Sequence, residues 1–343
     1  MSTKWPLVLA ELRPYMELPH PLPTDGHPAD PDTSKGVRAA FAVLGPPNPF
    51  SPGVRTESID VAGVRTLVVR PPEGIEVKKG VVIYVIHPGG FIFGAPESEA
   101  PLLSTFAEAG YTSISPDYRL APEHPYPAAH EDVWTVWDWL VGNSESRSQF
   151  ETSQAILGVD RNNIILFGTS AGSALATYLT FRLAEREEVV RPRLVILDSP
   201  HVDSRARPFP SMSPFWKPAV ENYLWWSSAG CHNIARYLFG EDSSAAKDEG
   251  APDGVFVNEY PSWKFQELAK NLPPFHLLIC ELDCIRDSAL EFAGKLFTAG
   301  VRTDVVVVAG TPHFFVGFFP HTDVARKTKL GYLEAIDRAL NGY

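Results

Sequence analysis

The chain has 343 residues, with 30 Lys+Arg against 41 Asp+Glu and a formal net charge of −11. A 44% hydrophobic and 21% charged composition supplies ample core-forming residues and excludes disorder of the whole chain. The acidic balance, with no Lys/Arg cluster, excludes nucleic acid or an anionic membrane surface as the main partner.

Three cysteines, Cys231, Cys280 and Cys284, are too few for a disulfide scaffold, and an odd number suits a reducing compartment. Cys280 closes the apolar run His276-Leu277-Leu278-Ile279, and no Cys or His stands near it at zinc-like spacing. Buried thiols are expected there, with no metal site. The N-terminal apolar stretch is interrupted by Glu11, Arg13 and Pro14, which makes a poor signal peptide. No apolar run approaches the roughly 20 residues needed to cross a bilayer, so no integral membrane segment and a cytoplasmic location are expected.

Residues 1–57 are crowded with proline, which allows short helical pieces at Pro6–Met16 and Ser34–Leu44 but no sheet. From residue 58, short β-branched runs alternate with longer amphipathic stretches. Strands are predicted at Val64–Val69, Val81–Ile86, Thr112–Ser115, Ile164–Phe167, Leu194–Leu197, Leu277–Cys280 and Asp304–Val308. Helices are predicted at Pro101–Glu108, Glu131–Val141, Ala171–Glu187, Ser288–Ala299 and Asp323–Leu340. Continuously apolar strands require a sheet covered on both faces, and strand–helix alternation makes that sheet mostly parallel and doubly wound, an α/β fold. The stretch between Leu197 and Leu277 is far longer than one crossover needs. It carries many large aromatics, among them Phe215, Trp216 and Trp225, and a polar loop at Glu241–Gly254. It reads as an inserted helical subdomain that packs with the N-terminal segment as a cap over the C-terminal edge of the sheet. The organisation is therefore a cap segment (1–57), the first part of the core (58–200), a cap insertion (201–262) and the second part of the core (263–343).

Gly168-Thr169-Ser170-Ala171-Gly172 fits the G-x-S-x-G pattern, placed between the buried-strand run Ile164–Phe167 and a helix of small and apolar residues. A sharp strand–turn–helix forces the serine into strained backbone geometry, and flanking glycines keep side chains out of the way. His87-Pro88-Gly89-Gly90-Phe91 follows another strand, where a glycine pair can turn backbone N–H groups toward a substrate oxyanion; the alternative is an ordinary β-turn. The loop from Pro116 to Ala129, Pro116-Asp117-Tyr118-Arg119-Leu120-Ala121-Pro122-Glu123 in its first half, has no chemistry of its own.

Together these segments and Asp283-Cys284-Ile285-Arg286-Asp287 resemble the hormone-sensitive-lipase-like family of α/β-hydrolases, from about residue 58 to the C-terminus. The resemblance implies an eight-stranded sheet and a serine carboxylesterase. Ser170 would be the nucleophile, Asp283 the acid and His313 the base, in the chain order expected for that fold. Gly89, Gly90 and Ala171 would donate the oxyanion hydrogen bonds. His87 would stabilise their turn. Pro88 stands where the family has a glycine, but at a position that donates no hydrogen bond. Asp287 is the rival acid, with a helix N-cap as its other reading. His321 is the rival histidine, otherwise a surface residue opening the last helix. His124 and His130 read as loop and helix-start residues. The family's His-Gly-Phe is His313-Phe314-Phe315 here, which would tighten the pocket. Phe91, Phe215, Trp216, Trp225 and Phe314 are the expected pocket residues.

The expected reaction is acyl transfer from a small-molecule ester to water, with short- to medium-chain acyl groups or a particular metabolite ester or lactone as substrates. It requires no metal or organic cofactor. Activity is expected to fall below roughly pH 6.5, the ordinary histidine value, where imidazole is no longer a base. The alternatives carried by the resemblance are amide hydrolysis, a dehydration or cyclisation in the same site, and a receptor without catalysis. The last helix and strand, frequent dimer surfaces in the family, make a homodimer possible.

Overall fold

A computed structural model describes residues 8–14, 48–142, 147–187, 189–204, 228–240, 251 and 254–342. The expected helix at Ser34–Leu44, most of the cap segment, most of the cap insertion, and Phe215, Trp216 and Trp225 lie outside the described residues.

Eight strands form one sheet in the order β1-β2-β4-β3-β5-β6-β7-β8. They are β1 (Arg55–Val61), β2 (Val64–Arg70), β3 (Gly80–Ile86), β4 (Thr112–Pro116), β5 (Val159–Thr169), β6 (Leu194–Asp198), β7 (Phe275–Cys280) and β8 (Thr303–Val308). The β1–β2 and β2–β4 pairs are antiparallel and all other pairs parallel. The helices are α1 (Ala100–Glu108), α2 (Ala128–Val141), α3 (Arg147–Leu157), α4 (Ala171–Ala184), α5 (Ser228–Phe239), α6 (Ser262–Leu268), α7 (Arg286–Thr298), α8 (Phe315–Phe318) and α9 (Asp323–Asn341). None of the described helices is long and apolar enough to cross a membrane.

All seven predicted strands and five predicted helices are present, with ends displaced by a few residues. Strand β1 was not expected because it is an edge strand, exposed over most of its length, so its Arg-Thr-Glu-Ser sequence carries no apolar run. Helix α3 was missed for a similar reason, its polar sequence presenting little apolar face. Of the helical piece expected over Pro6–Met16, the described residues 8–14 form turns that run into a 3-10 helical turn at Arg13 and Pro14. They are tied by the Leu9 N–H to the Gly310 carbonyl (2.9 Å), while the Asp323 N–H donates to the Glu11 carboxylate (2.8 Å).

The central strands bury both faces, with period 2. Val82, Tyr84 and Ile86 of β3 and Ile164 and Leu166 of β5 join one core with α2, α4 and α7. Ile83, Val85, Ile165 and Phe167 join the other with α1 and α9. That two-sided cover is why these strands read as unbroken apolar runs. The loops after β3, β5, β6, β7 and β8 all leave the carboxyl ends of the strands, the edge at which open α/β sheets bind ligands.

Candidate active site

At the end of β5 the chain turns at Ser170 with φ 53° and ψ −117° and enters α4 at once. Close approach to the neighbouring strand demands glycine at 172: a Cβ there would lie 2.0 Å from the Ile86 carbonyl oxygen. The Ser170 N–H donates to the Asp198 carbonyl across the β5–β6 register (2.9 Å), fixing the turn to the sheet. Asp283 follows β7, and its Oδ1 accepts from the Ile285 N–H (3.1 Å). His313 follows β8 in a loop joined to that of Asp283 by the Leu282 N–H and the Thr311 carbonyl (3.0 Å).

Three side chains from three strands thus meet. Ser170 Oγ is 2.8 Å from His313 Nε2, and His313 Nδ1 is 2.6 Å from Asp283 Oδ2. All three are buried, Asp283 at 2% exposure and the other two at 6%. A carboxylate on Nδ1 keeps that nitrogen protonated and leaves the Nε2 lone pair facing the serine hydroxyl. Of the two rival acids, the structure brings Asp283 to the imidazole, while Asp287 at the start of α7 accepts from Arg286 (2.9 Å). His321 is exposed at the turn before α9, apart from this cluster.

The loop after β3 has Gly89 at φ 131°, Gly90 at 58° and Phe91 at 63°. A Cβ on Gly89 would lie 1.8 Å from the Phe93 carbonyl oxygen, so no larger residue fits this turn. Its carbonyl accepts from the Ile92 and Phe93 N–H groups (3.0 Å each), whereas the Gly89, Gly90 and Ala171 N–H groups make no hydrogen bond among the described residues. His87 donates from Nδ1 to the Pro88 carbonyl (2.7 Å) and stacks on Tyr118 at 4.0 Å. Burial pushes its pKa down to about 4, so it is neutral. The Tyr118 hydroxyl donates to the His87 carbonyl (3.0 Å), and the Ala121 N–H to the Phe91 carbonyl (2.8 Å). The loop that had no chemistry in the sequence thus braces this turn. Arg119 anchors it in turn, forked onto Asp132 with Nε 2.9 Å and Nη2 2.8 Å from its oxygens.

Of the other expected residues, Phe91 is fully buried in an aromatic cluster with His130, His201 and Phe256. Phe314 sits beside His313 in left-handed geometry and packs on Phe318 at 4.9 Å. His124 is exposed, and His130 lies buried in the first turn of α2.

Five residues escaped the sequence reading. Asp198 and Ser199 end β6, and Ser199 Oγ donates to Asp198 Oδ1 (2.8 Å) while accepting from the Phe314 N–H (3.2 Å). Tyr332 of α9 donates to the other Asp198 oxygen (2.7 Å). Glu99 lies 2% exposed beside Thr169, and His201 hangs behind Ser170. A signal existed for three of them: Asp198-Ser199-Pro200-His201 is a polar run at the carboxyl end of a central strand, where a ligand site is expected.

The α/β-hydrolase fold family matches residues 82–317, and the chain belongs to it. Among proteins of known activity, an ethyl acetate hydrolase of Pseudomonas putida is 27% identical over 79% of this chain and 77% of its own. The esterase LipI of Mycobacterium tuberculosis (strain ATCC 25618 / H37Rv) is 24% identical over 91% of this chain and 90% of its own. The crystal structure of an esterase from the bacterial hormone-sensitive lipase family shares the fold, with a TM-score of 0.72 at 22% identity over 92% of this chain and 95% of that one.

Proposed function

We propose that the protein is a carboxylic ester hydrolase of the hormone-sensitive-lipase-like type, working through an acyl-enzyme on Ser170. The observation that carries this reading is the continuous Ser170–His313–Asp283 chain, with 2.8 Å and 2.6 Å contacts at the mouth of the sheet. His313 Nε2 takes the Ser170 proton as Oγ attacks the ester carbonyl, and Asp283 stabilises the imidazolium that forms. The Gly89, Gly90 and Ala171 N–H groups, without partners among the described residues, receive the oxyanion; each such donor typically contributes about 3 kcal/mol to the transition state. The imidazolium then returns its proton to the leaving alcohol. Water attacks the acyl-enzyme with His313 again as base. None of these steps needs a metal or a cofactor.

The preferred substrates are small esters with short- to medium-chain acyl groups, in keeping with the ethyl acetate hydrolase among the relatives. The protein works in the cytoplasm. Two copies pair through the edge strand β8, where Val306 and Val307 are 41% and 47% exposed. The test is hydrolysis of p-nitrophenyl esters of two to twelve acyl carbons by the wild type and Ser170→Ala. Turnover lost in the variant, with the fold intact by circular dichroism, is the expected result. Turnover retained by Ser170→Ala would overturn the reading.

A further inference from the structure

His201 is three residues beyond the end of β6 and 3% exposed. Its N–H donates to the Ser170 carbonyl (3.4 Å), which places it against the backbone of the nucleophile. Its ring centroid is 5.0 Å from that of Phe256 and 6.4 Å from that of Phe91, the residue after Gly90. His313 and Asp283 both lie within its electrostatic reach.

The tautomer follows from its partners. The Asp203 backbone accepts a hydrogen bond from the ring, and Nε2 is the nitrogen with no partner among the described residues. The proton is therefore on Nδ1, and Nε2 presents a buried, unused lone pair. Burial lowers the pKa to about 4, so the ring stays neutral and cannot escape this state by protonation at ordinary pH. An unpaired buried acceptor costs free energy, and such groups in native proteins call for an explanation. His87 and His130 also carry ring nitrogens with no partner among the described residues. His130 is surrounded by rings, steeply inclined to Tyr178 (4.7 Å, 85°) and Tyr126 (5.0 Å, 78°), and His87 stacks flat on Tyr118. Neither is bonded to the backbone of the nucleophile.

We propose that His201 Nε2 is a substrate-recognition acceptor, receiving a hydrogen bond from a hydroxyl or N–H group on the ester bound at Ser170. Phe91 and Phe256 bound the same space with apolar surface. The favoured substrate is thus an ester with one hydrogen-bond donor close to the scissile carbonyl, on an otherwise apolar body. The inference deepens the proposed function and rests on Ser170 being the nucleophile.

Two matched ester pairs test it. p-Nitrophenyl 3-hydroxybutyrate against p-nitrophenyl butyrate places the donor on the acyl side, and 2-hydroxyethyl butyrate against propyl butyrate places it on the alcohol side. In the wild type, kcat/KM for the hydroxylated member of one pair should exceed that of its partner by about tenfold, the worth of one buried hydrogen bond. His201→Phe should bring that ratio to about one, and His201→Asn, which keeps an acceptor, should restore part of it. A wild-type ratio near one in both pairs, or a ratio unmoved by His201→Phe, overturns the proposal. Calorimetric binding of the same esters to Ser170→Ala reads the same ratio without turnover. If no ester is hydrolysed by the wild type, the esterase reading fails, and the binding ratio still decides the role of His201.

Discussion

Ser170 and Ser199 occupy equivalent places on neighbouring strands. Thr169 and Asp198 are register partners in β5 and β6, and the serine that follows each has a positive φ, 53° and 48°. Both hydroxyls reach the loop after β8, one at the His313 ring and the other at the Phe314 N–H. An acid is buried behind each: Glu99 beside Thr169, and Asp198 itself. The partners of each hydroxyl decide what it can do. Ser170 Oγ meets a nitrogen lone pair and can give up its proton, whereas Ser199 Oγ donates to a carboxylate and accepts an N–H, which uses it as a fixed pin. Strained backbone at a strand end therefore marks a site without marking a nucleophile.

Asp283→Asn breaks the first arm and spares the second. An amide can donate to Nδ1, which favours the imidazole tautomer with its proton on the nitrogen facing Ser170. Activity on p-nitrophenyl butyrate should fall by roughly 10³- to 10⁴-fold in kcat. The Phe314–Ser199 bond does not depend on this carboxylate, so the fold and KM should change little. A loss below tenfold would mean that Ser170 is not activated through His313.

The two buried acids differ in how well they are satisfied, and pH separates them. Burial raises both, but two hydroxyl donors hold Asp198 to about 6, while Glu99, with Oε1 unpartnered among the described residues, rises to about 8. The Asp198 charge adds to that rise. A carboxyl group raised in the folded state binds a proton that the unfolded chain has already lost. Its penalty therefore grows as pH rises from 4.5 to about 8, and is absent below that window. Across pH 5 to pH 8.5 the Glu99 share should lower stability by an amount of order a few kcal/mol, against the gain from the buried, neutral His87, His130 and His201 as the unfolded chain loses its histidine protons toward pH 6.5. Glu99→Gln should remove that share, so the variant gains stability relative to the wild type as pH rises, while the contributions of Asp198 and the histidines remain in both proteins. Urea midpoints at the two pH values measure it, and equal slopes in both proteins would mean that Glu99 is not the source.

The core and the turn at Ser170 were legible because each rests on a local pattern, whereas Asp283 and His313 were reached through the family resemblance. Apolar runs reported strands covered on both faces, and the glycine-flanked Ser170 reported a turn that only its neighbours' small size permits. Residues whose meaning depends on a partner far away in sequence were not legible. Asp198 matters through Tyr332 and Ser199 through Phe314, across 134 and 115 positions. Nothing near either residue announces those contacts. Edge strand β1 failed for the opposite reason: one of its sides and much of its surface face solvent, so it has no apolar run to display.

Ser199→Ala is the converse of Asp283→Asn, since it spares the chemical arm and removes the pin. It leaves the Phe314 N–H and an Asp198 oxygen each short of a partner, beside a Phe314 held at φ 54°. Left-handed geometry costs a non-glycine residue about 1–2 kcal/mol, and the Ser199 bond is one of the contacts that offset it. Without it the loop relaxes around the His313 ring. We expect kcat to fall about tenfold with KM within about twofold, the pattern of a lost alignment rather than a lost substrate contact. Ser199→Gly distinguishes the hydroxyl from the backbone at this site, because glycine removes the same pin but relieves the strain at φ 48°. If Gly and Ala lose the same activity, the hydroxyl is what positions His313. If Gly restores it, the strained turn at Ser199 and not its hydrogen bond governs the loop, and the resemblance between the two serines is one of backbone alone.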